Sequence, residues 1–192
     1  MAIVLAIVMI ASSVFFMNLQ PALKNVRVTN AYNTTLETLR RAREASVSTR
    51  WIYVVSFSNS GIPNTITVTQ TTVNGSVLLQ SNLPTDISFQ VISGVPTSQN
   101  GAYTTPDGFG TASKAIDFDQ LNGGGASTIY FYPDGSARNA SGGINNGVVY
   151  LAHSGDLYSS RAITVWGLTG RLRGFRLYGT GGSTPSTYWR QQ

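Results

Sequence analysis

Two hydrophobic periodicities divide the chain. Residues 1–23 are apolar almost without interruption and carry no charge before Lys24. As a helix, at ~1.5 Å per residue, that run reaches ~34 Å, long enough to cross a bilayer. Asn18, Gln20 and Pro21 weaken its far end, and Pro21 predicts a kink. Beyond it Val28, Tyr32, Leu36, Leu39 and Ala42 recur at three- and four-residue steps and fall on one stripe. Glu37 with Arg41, and Arg40 with Glu44, are i,i+4 pairs on the opposite side, each worth about 0.2–0.5 kcal/mol. No glycine breaks residues 1–49. The pattern predicts one long helix, apolar and then amphipathic, ending near Ser46–Thr49.

From Trp51 the period changes to two. The stretches WIYVVSFS, NTITVTQTTV, SVLLQ, DISFQVI, KAIDFD, STIYFY, GVVYLA, RAITVWGL and RLRGFRLY are rich in β-branched and aromatic residues and predict strands. Asn74-Gly75 predicts a hairpin turn, and Pro133-Asp134-Gly135, Asn145-Asn146-Gly147 and Thr169-Gly170 are turns by residue type. Residues 93–113 read as loop, and the Gly/Ser/Thr/Pro-rich tail from Gly179 to Gln192 as poorly ordered. The expected fold class is α+β: a long N-terminal helix, residues 1–49, packed on an antiparallel β domain, residues 50–178, with a flexible tail, residues 179–192.

Composition changes this picture in two ways. Only 11 % of residues are charged, against roughly a quarter in an average soluble domain, and Gly, Ser, Thr and Asn fill the gap. That suits a turn-rich β domain outside the cytoplasm or a surface built for assembly. The absence of cysteine excludes a disulfide framework, a thiolate metal site and a cysteine nucleophile. The net charge of +5 is uneven: residues 24–50 carry +4, residues 51–137 carry −4 and residues 138–192 carry +5. A basic end next to an acidic middle suits a phosphate-bearing or acidic partner as well as an ordinary solvated face.

The N-terminal run admits three readings. A secretory signal peptide needs a basic n-region, which is absent here, and Ala11-Ser12-Ser13 is a weak cleavage site. A plain membrane span is long enough, but Lys24, Arg27, Arg40, Arg41 and Arg43 all follow it, so the positive-inside rule would leave the β domain in the cytoplasm. The third reading is that a basic leader precedes the residues given, which would place the β domain outside.

A helix that is apolar, then amphipathic, and leads into a β domain is the plan of type IV pilins and type II secretion pseudopilins. MAIVLAIVMI resembles the interior of a prepilin N-terminal segment. IYFYPDGSA at 129–137 resembles a strand-turn that this group writes as Phe-x-Pro-Asp-Gly-Ser. ITVWGLTGRLRGFRL at 163–177 resembles the closing hairpin of the GspH/FimT family, whose last strand begins Gly-Arg-x-Arg. Their order and spacing are similar to that family across nearly the whole chain. The resemblance implies a leader cut after a glycine, a methylated new N-terminus, and a glutamate ahead of the apolar run that pairs with a neighbouring subunit. That glutamate is not among these residues, so its contact is assigned to none of them. It also implies that the apolar helix rests in the inner membrane before assembly and packs on other subunits' helices in a filament. Ala2, Ala6, Ala11 and Ser12 would permit close approach and Phe15 and Phe16 would add apolar surface.

Little points to catalysis. The single histidine, His153, is followed by Ser154 and Asp156, but adjacency in sequence is not triad geometry, and an ordinary loop histidine is the simpler reading. Asp117 and Asp119, two apart on a predicted strand, would share a face as an acid or metal pair does, or simply face solvent. Asp134 reads as a turn residue. No Gly-rich phosphate loop with its lysine occurs, and no cofactor or metal is expected.

The terminal arginines carry more. Strand alternation puts Arg171 and Arg173 on one face with Phe175 beside them, and Arg176 on the other unless Gly174 marks a bulge. Arginines beside an aromatic neutralise phosphates and stack on exposed bases. The resemblance to FimT-type minor pilins implies DNA binding through Arg171 and Arg173, less directly Arg176, with Arg138, Arg161 and Arg190 able to extend the patch. The competing expectation is pairing with the acidic middle or with a neighbouring subunit. The function expected first is assembly without turnover: a membrane-anchored minor pilin or pseudopilin, with its β domain on the outer side of the inner membrane. It would join other subunits in a type II secretion pseudopilus or type IV pilus tip. DNA uptake is the alternative.

Overall fold

The computed structural model describes residues 2–72, 75–99, 104–180 and 186–192; within residues 2–22 it describes the backbone and, of the side chains, Met9 and Ser12. One helix, α1 (Ala2–Thr49), runs unbroken through Pro21. The predicted stripe is its buried face: Val28, Tyr32, Leu36, Leu39 and Ala42 are all at most 9 % exposed. Thr35 and Thr38 lie on the same face and satisfy their hydroxyls on the carbonyls of Ala31 and Thr34, at 2.8 and 2.7 Å, so neither is a polar defect. Ser46 donates to the Phe131 carbonyl at 2.9 Å, and Arg50 ends the helix at φ 60°, a left-handed stop. Glu37 and Arg41 pair at 2.8 Å. Arg40 and Glu44 form no ion pair among the described residues, which corrects the second expected pair.

The β domain holds two antiparallel sheets, so the α+β class stands. The first comprises β1 (Tyr53–Ser58), β2 (Thr65–Gln70), β3 (Val77–Asn82), β6 (Thr128–Phe131) and β7 (Ala137–Arg138), in the order β3-β2-β1-β6-β7. The second comprises β4 (Ile87–Ser88), β8 (Gly147–His153), β9 (Arg161–Trp166), β10 (Arg171–Gly179) and β11 (Thr187–Gln191), in the order β11-β10-β9-β8-β4, with β5 (Ile116–Phe118) also on β8. α1 touches both sheets, and its stripe shares one core with Val55, Phe57, Ile66, Ile129, Leu151, Ile163 and Val165. A second core lies on the far side of the second sheet, where Val148, Tyr150, Ala162, Phe175 and Leu177 meet Val95 and Ala112 of the long loop. Strand β8 is therefore buried on both faces, which its unbroken apolar sequence suits.

Several expectations need correction. The tail is not all loose: Thr187–Gln191 pairs with β10 in register from Phe175↔Gln191 to Gly179↔Thr187. Residues 181–185 of that expected tail lie outside the described residues. DISFQVI gives only a two-residue strand, because Phe89 turns into the core and its carbonyl accepts from Asn59 Nδ2 at 2.9 Å. The β2–β3 hairpin exists, but β2 stops at Gln70 and Asn74 of the expected turn lies outside the described residues. Asn145-Asn146-Gly147 is a strut rather than a free turn. Asn145 Oδ1 accepts the Asp119 N–H at 2.5 Å, Asn146 Oδ1 accepts the Gly167 N–H at 2.7 Å, and Gly147 opens β8.

Candidate functional site: the arginines of the terminal strands

Strand β10 pairs with β9 without a register shift, from Arg171↔Trp166 to Arg176↔Arg161. Gly174 is therefore not a bulge. A Cβ there would collide with the Tyr32 hydroxyl, so the glycine lets α1 approach the sheet. Alternation follows as expected: Arg171, Arg173 and Phe175 point away from α1, while Gly174 and Arg176 share its side.

The two faces treat their arginines differently. On the far face Arg173 donates from Nη1 to Asp107 Oδ1 at 2.8 Å and lies over the Trp166 ring at 5.6 Å. Asp107 is only 8 % exposed at its side chain, sits at φ 54°, and its other oxygen accepts from Thr164 Oγ1 at 2.5 Å and Trp166 Nε1 at 3.0 Å. This carboxylate latches the long loop onto β9 and β10, and it absorbs the charge of the arginine most central to the expected motif. Phe175 is 7 % exposed in the second core and offers no free ring for stacking. Arg171 alone on this face is exposed with its guanidinium unpaired among the described residues.

On the α1 face the structure joins three arginines. Arg161 stands opposite Arg176, and Arg176 opposite Arg190, across β9, β10 and β11. Arg161 is 2 % exposed; its Nη1 donates to the carbonyls of Ser159 and Ser160 at 3.0 and 3.2 Å. Burial pulls its guanidinium down to about 10, and Arg176 pushes in the same direction. Arg176 lies over the Tyr178 ring at 5.3 Å, and its buried Nε has no hydrogen-bond partner. Tyr178 stacks on Tyr188 at 6.0 Å. Among the described residues no carboxylate forms an ion pair with any of the three. The sequence names Arg161 and Arg190 as possible extensions of the patch; the register that sets both beside Arg176 comes from the structure.

The remaining candidates hold the fold. Arg138 pairs with Asp134 at 2.7 Å and lies over Tyr132, so it does not extend the row. Hydrogen bonds from Ser136 Oγ and N hold the exposed Asp134 carboxyl below its ordinary value, and Arg138 adds to this. Asp117 is 3 % exposed and accepts the Gly125 N–H at 2.6 Å, while Asp119 lies past the end of β5 at φ 66° and accepts from Asn122 Nδ2 at 2.8 Å. They share no strand face and face different loops, which corrects the shared face, and the burial of Asp117 corrects its reading as a solvent-facing residue. His153 Nδ1 meets the Ser154 carbonyl at 2.8 Å, and Nε2 lies 3.9 Å from Asp86, so neither the Ser154 hydroxyl nor Asp156 engages the ring. Of the expected assembly residues, Ser12 is exposed, and the side chains of Ala2, Ala6, Ala11, Phe15 and Phe16 lie outside the described residues. Among the described residues no helix is long and apolar enough to cross a membrane; most side chains of the apolar run fall outside that description. Compared with family models, curated proteins and solved structures, the chain matches none.

Proposed function

We propose that the chain is a membrane-anchored assembly subunit of the GspH/FimT minor pilin type. In this role it joins a type II secretion pseudopilus or a type IV pilus tip through its N-terminal helix. The observation that carries this reading is the division of labour along α1. One continuous helix of 48 residues buries its stripe in the β domain from Val28 onward, and an uncharged apolar run long enough to span a bilayer precedes that stripe in the sequence of the same helix. Such a run requires a membrane or the helices of other subunits as its partner. The natural sequence has no cysteine, so single cysteines can be placed cleanly. Ala6→Cys or Ser12→Cys in native membranes is expected to crosslink to other subunits, and the surface control Ser60→Cys is not. A helix that inserts but never crosslinks would leave a simple membrane anchor in place of an assembly subunit.

A second reading, duplex DNA binding, is supported by the unpaired guanidiniums of Arg171 and Arg176, though not by Arg173. Each phosphate contact contributes about 0.9 to the slope of log affinity against log salt. Replacing both by alanine is expected to lower that slope by about 2; an unchanged slope would end this reading.

A further inference from the structure

The row Arg161–Arg176–Arg190 has a definite position along α1. Arg43 of α1 donates to the Thr169 carbonyl at 3.1 Å, just ahead of β10, and Tyr32 faces Gly174. From Arg43 to Tyr32 is roughly 16 Å along a helix, and from Thr169 to Gly174 roughly 16 Å along a strand. The two elements therefore run side by side in opposite directions, and β10 continues past Gly174 toward the N-terminal end of α1. Arg176 lies roughly 7 Å further on, level with about Val28, and Tyr178 is near the level of Leu23 and Lys24. A separate contact agrees: Leu23, Lys24 and Arg27 of α1 line one hollow with Asp86 and His153, and His153 ends β8, two residues beyond Leu151, the partner of Arg161. Leu23 is also where the apolar run ends. The arginine row and Lys24 thus share the end of the β domain from which the apolar helix leaves, beside Arg27, whose charge Asp86 meets at 3.1 Å.

We propose that this row is a docking site for the phosphates of anionic lipid headgroups, seating the β domain on the membrane that holds its own helix. The inference rests on the anchored reading above. A membrane-spanning run that ends at Leu23 brings the headgroup layer to the level of Tyr178 and Arg176. Clustered basic side chains next to a span are attracted to the negative surface potential of anionic lipid. Arg190 lies exposed on the edge strand, Arg176 is half-buried beside it with no ion pair among the described residues, and Arg161 adds a buried positive charge behind them. Tyr178 and Tyr188 beside them have the amphipathic rings found at the headgroup level. Lipid fits the row better than duplex DNA because the row is only three residues wide, lies partly under α1, and sits at the level where the apolar run ends.

The test uses the full chain in nanodiscs of phosphatidylcholine alone or with a third phosphatidylglycerol, reading amide hydrogen exchange of residues 172–179 and 187–191. Anionic discs are expected to slow this exchange several-fold at low salt. Half-molar sodium chloride should remove the effect. Arg176→Gln with Arg190→Gln should also remove it, at roughly fivefold in lipid affinity per arginine. Arg50→Gln at the opposite end of α1 should not. Equal exchange in the two discs, with the chain inserted in both, overturns lipid docking and leaves anchoring intact. Failure of the chain to co-elute with either disc overturns anchoring and docking together. Slowing by inorganic phosphate in neutral discs would assign the row to a free anion, and slowing by duplex DNA but not by anionic lipid would assign it to nucleic acid; either result overturns the proposal.

Discussion

Replacing Asp107 by alanine is expected to cost about 3–5 kcal/mol, the usual loss when one partner of a buried ion pair is removed. Three donors converge on this carboxylate: Arg173 Nη1, Thr164 Oγ1 and Trp166 Nε1. Thr164 is fully buried, and Arg173 is 27 % exposed at its side chain. Alanine would therefore strand a hydroxyl and most of a guanidinium in a low-dielectric setting, and the desolvation cost of each would go unpaid. It would also free the loop that closes the second core. Asparagine keeps an acceptor but loses the charge, so Asp107→Asn should fall between alanine and the natural residue. Adding Arg173→Met to Asp107→Ala should recover part of the loss, because the orphaned charge goes with it. Thermal unfolding of the full chain in neutral detergent micelles, followed by circular dichroism, reads the series, with a Tm drop of roughly 10 °C expected for alanine. A drop of only a degree or two would show that the latch is dispensable, and Arg173 would then be free to serve a ligand.

That latch marks the boundary of what the sequence made legible. The helical stripe from Val28 to Ala42, the alternation in β1 and the apolar runs of β8 and β9 are local patterns, and the structure follows them closely. The side of the sheet taken by each of Arg171, Arg173 and Arg176 was also local, because it needed only a two-residue period. What those arginines meet was not. Asp107 comes from a loop 66 residues before Arg173 in the chain, and nothing in PDG at 106–108 distinguishes a latch from an ordinary turn. The same limit explains Asp117, which looks like a strand acid but is buried by Gly125 and Thr111 folding over it. Strand β11 was missed for a different reason. Its Thr-Tyr-Trp start favours a strand, but the Gly-, Ser- and Pro-rich stretch ahead of it hid that short signal, and its order comes from the edge of β10 that it covers.

Gly174→Ala is expected to cost about 3 kcal/mol, at the upper end of core overpacking. The reason is not backbone conformation, since Gly174 is absent from the positive-φ glycines. The reason is proximity. A Cβ would collide with the Tyr32 hydroxyl and lie 2.6 Å from Tyr32 Cζ and 3.0 Å from Cε2. Tyr32 is 6 % exposed between α1 and the sheet, and burial already raises the pKa of its hydroxyl. Its ring has nowhere to retreat, so relief requires α1 to lift from β9 and β10, which opens the shared core along the stripe. Tyr32→Phe removes the worst contact but leaves the Cζ clash, and should rescue Gly174→Ala only in part. Tyr32→Ala by itself is expected to cost about 3–5 kcal/mol as a cavity. In the double variant the new methyl fills part of that cavity, so the two losses should fall short of their sum by 1 kcal/mol or more. Additive losses would mean that the helix and the hairpin are not coupled through this contact. The arginine row just beyond Gly174 would then have lost the contact that sets its level against α1.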